Sequence, residues 1–144
     1  MKYIKLYEKV NEIDHILDSI QNNEYDTFLR LINSTNINYA NHEGTTPLML
    51  ASWYGRENFV KKLIKMGANI NLRDKEKETA LISAATMNII KMLIRAGADW
   101  NIKDKINYDF FDYLNDDETI EIIKEFPEEY ELYKLKKVSD KYNL

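Results

Sequence analysis

Apolar residues recur at helical spacing from the start of the chain: Tyr3, Leu6 or Tyr7, Val10, Ile13, Ile16 or Leu17, and Ile20. The spacing predicts an amphipathic helix, broken near Asn11. Asn22-Asn23 marks a turn, and Phe28, Leu29, Leu31 and Ile32 predict a second helix over 27–32. Further on, Val60, Leu63 and Ile64 share one helical face, and Ile90, Leu93 and Ile94 share another. Each set is expected to face a neighbouring unit. The small Ala51 and Ala84-Ala85 would let paired helices approach closely. Near the end, 119–126 and the segment from Pro127 predict two more helices. Glu128 and Glu129 open the last one, and Lys134, Lys136, Lys137 and Lys141 lie toward its end, which suits the helix dipole. Leu132, Leu135 and Val138 are placed to cover the open end of whatever precedes them.

The helices punctuate a repeat. Thr46-Pro47-Leu48 returns as Thr79-Ala80-Leu81, 33 residues on. Gly67-Ala68-Asn69-Ile70-Asn71 returns as Gly97-Ala98-Asp99-Trp100-Asn101, only 30 residues on. Three residues are therefore missing between Ala85 and Ile89, which predicts a clipped turn between the helices of the second unit. Asn36-Ile37-Asn38 closes an earlier unit, and Lys103-Asp104-Lys105-Ile106-Asn107 mirrors Arg73-Asp74-Lys75-Glu76-Lys77. The local chemistry agrees. Thr46 suits a helix cap and Pro47 the first helical position. Gly67 suits a left-handed helix stop, and Asp109 can cap a degenerate unit in which Phe110 stands where the proline stood.

The run Gly44-Thr45-Thr46-Pro47-Leu48-Met49-Leu50-Ala51-Ser52-Trp53-Tyr54-Gly55, followed by Leu63-Ile64-Lys65-Met66-Gly67-Ala68-Asn69-Ile70-Asn71, resembles one complete ankyrin repeat. The resemblance is closest over 41–102. It implies an all-α solenoid of paired antiparallel helices with β-turn fingers and helical caps at both ends. The units would be an N-terminal helix and capping repeat (1–40), a full repeat (41–73), a repeat with a shortened inter-helix turn (74–103), a degenerate unit (104–127) and a capping helix (128–144). Trp100 takes a slot that is usually aliphatic, and is expected to be a half-buried packing residue.

Composition narrows the function classes. At 144 residues the chain is one domain of ordinary size. No run of about 18 apolar residues is present, so no membrane span is expected. Met1-Lys2-Tyr3-Ile4-Lys5 lacks the apolar stretch of a secretory signal. Cys is 0, which excludes disulfides and thiolate metal sites and agrees with a reducing compartment. The expected location is the cytoplasm of its own cell, or of a host cell for an effector. Net charge is −4 with no basic block, which argues against general nucleic-acid binding. Richness in Ile, Asn, Lys and Tyr suggests an AT-rich coding genome.

Chemistry-bearing constellations are missing. His15 and His42 belong to separate units, and neither has partners that complete a metal site. Asp116-Asp117-Glu118 precedes a helix and reads as its N-terminal cap, without the alternate ligands and central glycine of a calcium loop. No phosphate-cradling loop and no nucleophile–base set can be assembled. The expectation is a non-enzyme with neither cofactor nor metal.

In ankyrin proteins the partner usually meets the concave face of fingertips and exposed first-helix positions. Carried over, the resemblance implies His42, Glu43 and Thr45 as fingertips of the full repeat, with Trp53 and Tyr54 on its helix. It implies Arg73, Lys75, Glu76 and Glu78 in the next repeat with Thr86 on its helix, and Lys103, Lys105, Ile106 and Tyr108 in the degenerate unit. Trp53 and Tyr54 are the residues of greatest interest, since exposed central aromatics are common hot spots. The function expected is that of a small stand-alone repeat protein, monomeric, which masks or tethers another protein, as an effector or inhibitor from a virus or host-associated bacterium or as an adaptor. Two other classes stay open. Self-association through Trp53 and Tyr54 would make it a structural or assembly protein. The acidic cluster would be the only basis for an enzyme or nucleotide-binding protein.

Overall fold

The computed structural model describes residues 2–142, with side chains from residue 11 onward. Tyr3, Leu6, Tyr7 and Val10, assigned above to an apolar face, have side chains outside the described residues. The described residues form seven α-helices and no strand: α1 (Lys2–Gln21), α2 (Tyr25–Leu31), α3 (Pro47–Trp53), α4 (Glu57–Lys65), α5 (Met87–Arg95), α6 (Asp116–Glu125) and α7 (Pro127–Tyr142). A short 3-10 turn covers Phe110–Tyr113. This is the expected all-α solenoid. α1 packs on α2 and α3, α3 on α4, α4 on α5, and α6 on α7.

The helices begin where their caps stand. The Thr46 hydroxyl accepts from the Met49 amide, and Pro47 fills the first turn of α3. Asp109 accepts from the Phe111 amide while Asp112 accepts from the Asp109 amide, closing a box around the 3-10 turn. Gly67 stops α4 with φ +84°. Val60, Leu63, Ile90, Leu93 and Ile94 are buried between units, as their spacing predicts, with Ile64 half-buried beside them.

Six expectations need correction. α1 is continuous through Asn11, since Asn is tolerated at an exposed helical position. The three-residue deletion removes more than a turn: residues 80–83 make only a hydrogen-bonded turn (Ser83 N to Thr79 O, 3.1 Å), so the second repeat lacks a first α-helix. With too few residues for two helices and their connection, the chain keeps α5, which carries the buried face. Ala84 is therefore only half-buried and Ala85 is exposed, its amide donating to Ser52 O at 3.0 Å across the repeat boundary. The cap of α6 is Asn115, paired with Glu118 in a capping box; Asp116 and Asp117 lie inside the first turn. Trp100 is fully buried, with 5% of its surface exposed. Finally, Leu132, Leu135 and Val138 are exposed, and α7 covers the stack with Tyr130 and Tyr133 instead. Those rings lie against Phe111 at 5.4 and 4.7 Å, because the aromatic pocket around Trp100 selects rings over aliphatic side chains.

The fingers are joined to one another. Each is rooted by an Asn or Asp whose side chain accepts backbone amides: Asn41 from Glu43 and Thr45, Asp74 from Glu78, and Asp104 from Ile106 and Tyr108. The Lys75 amide donates to Glu43 O at 3.0 Å, and the Lys105 amide to Glu76 O at 2.8 Å. Gly44 sits at that junction with φ +84°, and a Cβ there would lie 3.0 Å from Asp74 Cα and 3.2 Å from Lys75 N. Gly67 has the same φ but nothing within 4 Å of a Cβ. Gly67→Ala should therefore cost only left-handed backbone strain, about 1–2 kcal/mol. Gly44→Ala should cost clearly more, by about a further 1 kcal/mol, because backbone rather than a flexible side chain must yield. Urea melts of the two variants provide the check, and equal losses would show the finger junction to be loose.

Candidate functional site

The second repeat's missing helix leaves a notch beside the one before it. Thr45 from the first finger, Met49, Leu50, Trp53 and Tyr54 from the end of α3, Asp74 and Glu78 from the second finger, and Ser83 from the turn line a hollow of about 230 Å³. That is below the roughly 300–1,000 Å³ of small-molecule sites and suits one long side chain. Trp53 closes α3 with 62% of its surface exposed, and Tyr54, its C-terminal cap, is also exposed. Nothing in the fold requires an indole there: Leu48, Ala51 and Ser52 make the buried side of α3.

The notch is electrostatically one-sided. Burial and the charge of Asp74 push the Glu78 carboxyl above the ordinary carboxylate range, against a hydrogen bond from the Ser83 hydroxyl at 3.3 Å. Asp104 and Glu76 push the same way. No basic side chain among the described residues forms an ion pair with Asp74 or Glu78. An aromatic wall beside two uncompensated carboxylates favours a cation, by Coulomb attraction and by the ring quadrupole.

The remaining sequence-assigned positions divide into three groups. His42, Glu43, Lys75, Glu76 and Lys105 are exposed fingertips joined in a row, with Glu43 3.1 Å from His42 and 3.8 Å from Lys75, and Lys105 2.9 Å from Glu76. Arg73 is a strut: its guanidinium donates to Lys77 O at 3.2 Å and Lys103 O at 2.7 Å. Lys103, Ile106 and Tyr108 are exposed on the third finger, where Tyr108 meets Tyr113 edge to face at 5.9 Å. Thr86 is the exception and a correction. With no first helix in its repeat, Thr86 caps α5, its hydroxyl accepting from the Ile89 amide at 3.3 Å.

Four notch residues escaped the sequence reading: Met49, Leu50, Asp74 and Ser83. Met49 and Leu50 fill the two free positions of the Thr-Pro-Leu-x-x-Ala run, a signal that was present. Ser83 lies in the turn that replaces the missing helix, and Asp74 is held at the notch by rooting the second finger. A larger hollow of about 450 Å³ lies between Asn101, Lys103, Asp109 and α7. Its charges serve the fold. Lys137 Nζ lies 2.9 Å from the buried Asp109, whose carboxylate also accepts from the Tyr133 hydroxyl at 3.2 Å. Burial disfavours the Lys137 charge, but the bonds to Tyr133 and Asp109 outweigh it and raise its pKa.

Among the described residues no group of His, Cys, Asp and Glu is arranged to hold a metal ion. None of the described helices is long and apolar enough to cross a membrane.

A family profile for ankyrin repeats (3 copies) matches residues 16–104. The chain is 36% identical over 74 residues to human M-phase phosphoprotein 8, covering 49% of this chain and 9% of that protein. It is 42% identical over 53 residues to a putative ankyrin repeat protein of fowlpox virus, covering 37% of this chain and 28% of that protein. The rat M-phase phosphoprotein 8 matches at 35% over 74 residues. The chain thus spans less than a third of the length of each of these relatives.

Proposed function

The chain belongs to the ankyrin-repeat family, and from that premise we propose that it binds a partner protein through the face shared by its fingers and α3, with the Trp53 notch at the centre. Ankyrin repeats are in general protein–protein interaction modules and typically not enzymes. The observation that carries the finer reading is Trp53, an indole more than half exposed beside two carboxylates that form no ion pair among the described residues. A partner segment bearing Lys or Arg would lay its apolar stem along Trp53 and place its charge between Asp74 and Glu78. The fingertip row would then supply orientation and steering more than affinity. The mode of action is occupancy, masking a surface or tethering two proteins. One relative is a viral ankyrin repeat protein; within this proposal, an effector or inhibitor acting in the cytoplasm of a host cell is one form that occupancy takes.

The test is affinity capture from cytoplasmic extract with mass spectrometry, using the chain and its Trp53→Ala/Tyr54→Ala double variant in parallel. Hot-spot aromatics are worth about 2 kcal/mol or more, so the variant should bind the captured partner at least about thirtyfold more weakly. Its urea melt should stay within about 0.5 kcal/mol of the parent, as for exposed positions generally. A partner held equally by both would place the site elsewhere. Salt-insensitive binding, or a partner contact free of Lys and Arg, would refute the cationic reading.

A further inference from the structure

The third unit shows what the notch lacks. Asp104 and Tyr113 lie 30 residues beyond Asp74 and Ser83, the offset that also separates Gly97 from Gly67. Both aspartates root a finger with one oxygen. Asp74 Oδ1 accepts from the Glu78 amide at 2.9 Å, and Asp104 Oδ1 from the Tyr108 amide at 2.9 Å. Their second oxygens differ. Asp104 Oδ2 accepts from the Tyr113 hydroxyl, a bond that pushes the Tyr113 pKa up to about 12. Asp74 Oδ2 has no hydrogen-bond partner among the described residues. Ser83, standing where Tyr113 stands, is short and donates to Glu78 Oε2 and Thr79 O instead. The third unit thus closes this position with its own side chain, and the second leaves it open.

Glu78 Oε1 is a second open acceptor among the described residues. The charges that act on the Glu78 carboxyl come from Asp74, Asp104 and Glu76, all acids. The basic neighbours of Asp74 along the chain point elsewhere: Arg73 donates to the Lys77 and Lys103 carbonyls, and Lys75 lies 3.8 Å from Glu43. An occupant must therefore bring positive charge, donors for two separate oxygens, and a flat face for the Trp53 indole. A guanidinium meets all of these, since its five N–H donors lie in a planar fork that stacks on aromatic rings. An ammonium is compact and strongly hydrated and offers no plane to stack. A phenol, as at Asp104, has a single donor and no charge. Given the reading of the notch as a cation site, we propose that it selects arginine over lysine in the partner. The guanidinium donates to Asp74 Oδ2 and Glu78 Oε1 and lies on Trp53.

The test titrates the full chain with capped glycine tripeptides carrying arginine, lysine or tyrosine at the centre, and follows the Trp53 indole N–H by NMR at low salt. Arginine is expected to bind at least about fivefold more tightly than lysine, as stacking on the indole adds to the shared charge. Lysine should in turn exceed tyrosine. Asp74→Asn should weaken the arginine peptide at least about tenfold, the loss of a charge-assisted hydrogen bond. Its urea melt should match the parent, because Asn41 roots the first finger through the same side-chain oxygen. Ser83→Tyr should carry its own phenol to Asp74, as Tyr113 does to Asp104, and abolish binding of every peptide in a folded chain. Ser83→Ala leaves the notch open and should still bind. Lysine bound as tightly as arginine overturns the selection and leaves the cation site standing. Tyrosine bound most tightly, or no arginine binding at Trp53, overturns both. Arginine binding undiminished in Asp74→Asn, or in a folded Ser83→Tyr, overturns Asp74 as its seat.

Discussion

Trp100→Ala is expected to cost about 3–5 kcal/mol, the range for truncating a large buried aromatic. The indole is ringed by Phe111 at 5.5 Å, Phe126 edge-on at 6.3 Å and Tyr133 at 6.4 Å. These rings come from the degenerate unit, the end of α6 and α7, so one side chain touches three parts of the C-terminal cap at once. No neighbour can slide into the space, because Phe110, Phe126 and Tyr133 are themselves buried and held by other contacts. Repeat stacks couple only nearest neighbours. The loss should therefore fall first on 110–142, whose amides should exchange faster than those of α4. Both a urea melt and hydrogen exchange read this. A loss below about 1 kcal/mol would show that the cap is not docked on Trp100.

How much of this was legible depends on how local the determining chemistry is. Thr46, Pro47, Gly67 and Asp109 act on backbone groups within a few residues of themselves, so their roles could be read from the chain. The apolar faces of α4 and α5 were readable for the same reason. The lost helix of the second repeat was not: the deletion was visible, but whether it would remove a turn or a helix depends on what the neighbours hold in place. Thr86 and the notch follow from that outcome. The cap was misread differently. Leu132, Leu135 and Val138 are better hydrophobes than Tyr130 and Tyr133, and hydrophobicity alone picks the wrong face of α7. The face is selected by Trp100 and by the buried Asp109, which holds both the Tyr133 hydroxyl and Lys137. Those partners lie more than twenty residues upstream, beyond any periodicity. Trp53 and Tyr54 were singled out from the sequence and are exposed, but the acidic side of their notch, Asp74 and Glu78, needed the fold to bring it there.

Phe59→Ala should be as damaging at the other end of the stack, again about 3–5 kcal/mol. Phe59 is buried in α4, meeting Tyr25 edge to face at 4.9 Å and Phe28 at 4.9 Å. It is the ring by which α4 meets α2 of the N-terminal unit, beside the packing of α1 on α3. Its removal leaves Phe28 without a partner on that side and costs the edge–face term of about 0.5–1.5 kcal/mol as well as burial. Arg56 can recover little, since its bonds to Ile20 O and Gln21 O (3.3 and 2.9 Å) are peripheral and part-exposed. The exchange pattern should be the mirror of that for Trp100→Ala: α2 and the C-terminal half of α1 lose protection first, while α6 and α7 keep theirs. The two clusters share no ring, so the two losses should add. Their sum, about 6–10 kcal/mol, is comparable to the whole stability of a typical domain. The double variant should therefore not fold at room temperature, as circular dichroism would report. A folded double variant would mean that the two aromatic clusters contribute far less than their burial implies, and that the helix faces between them carry the stack.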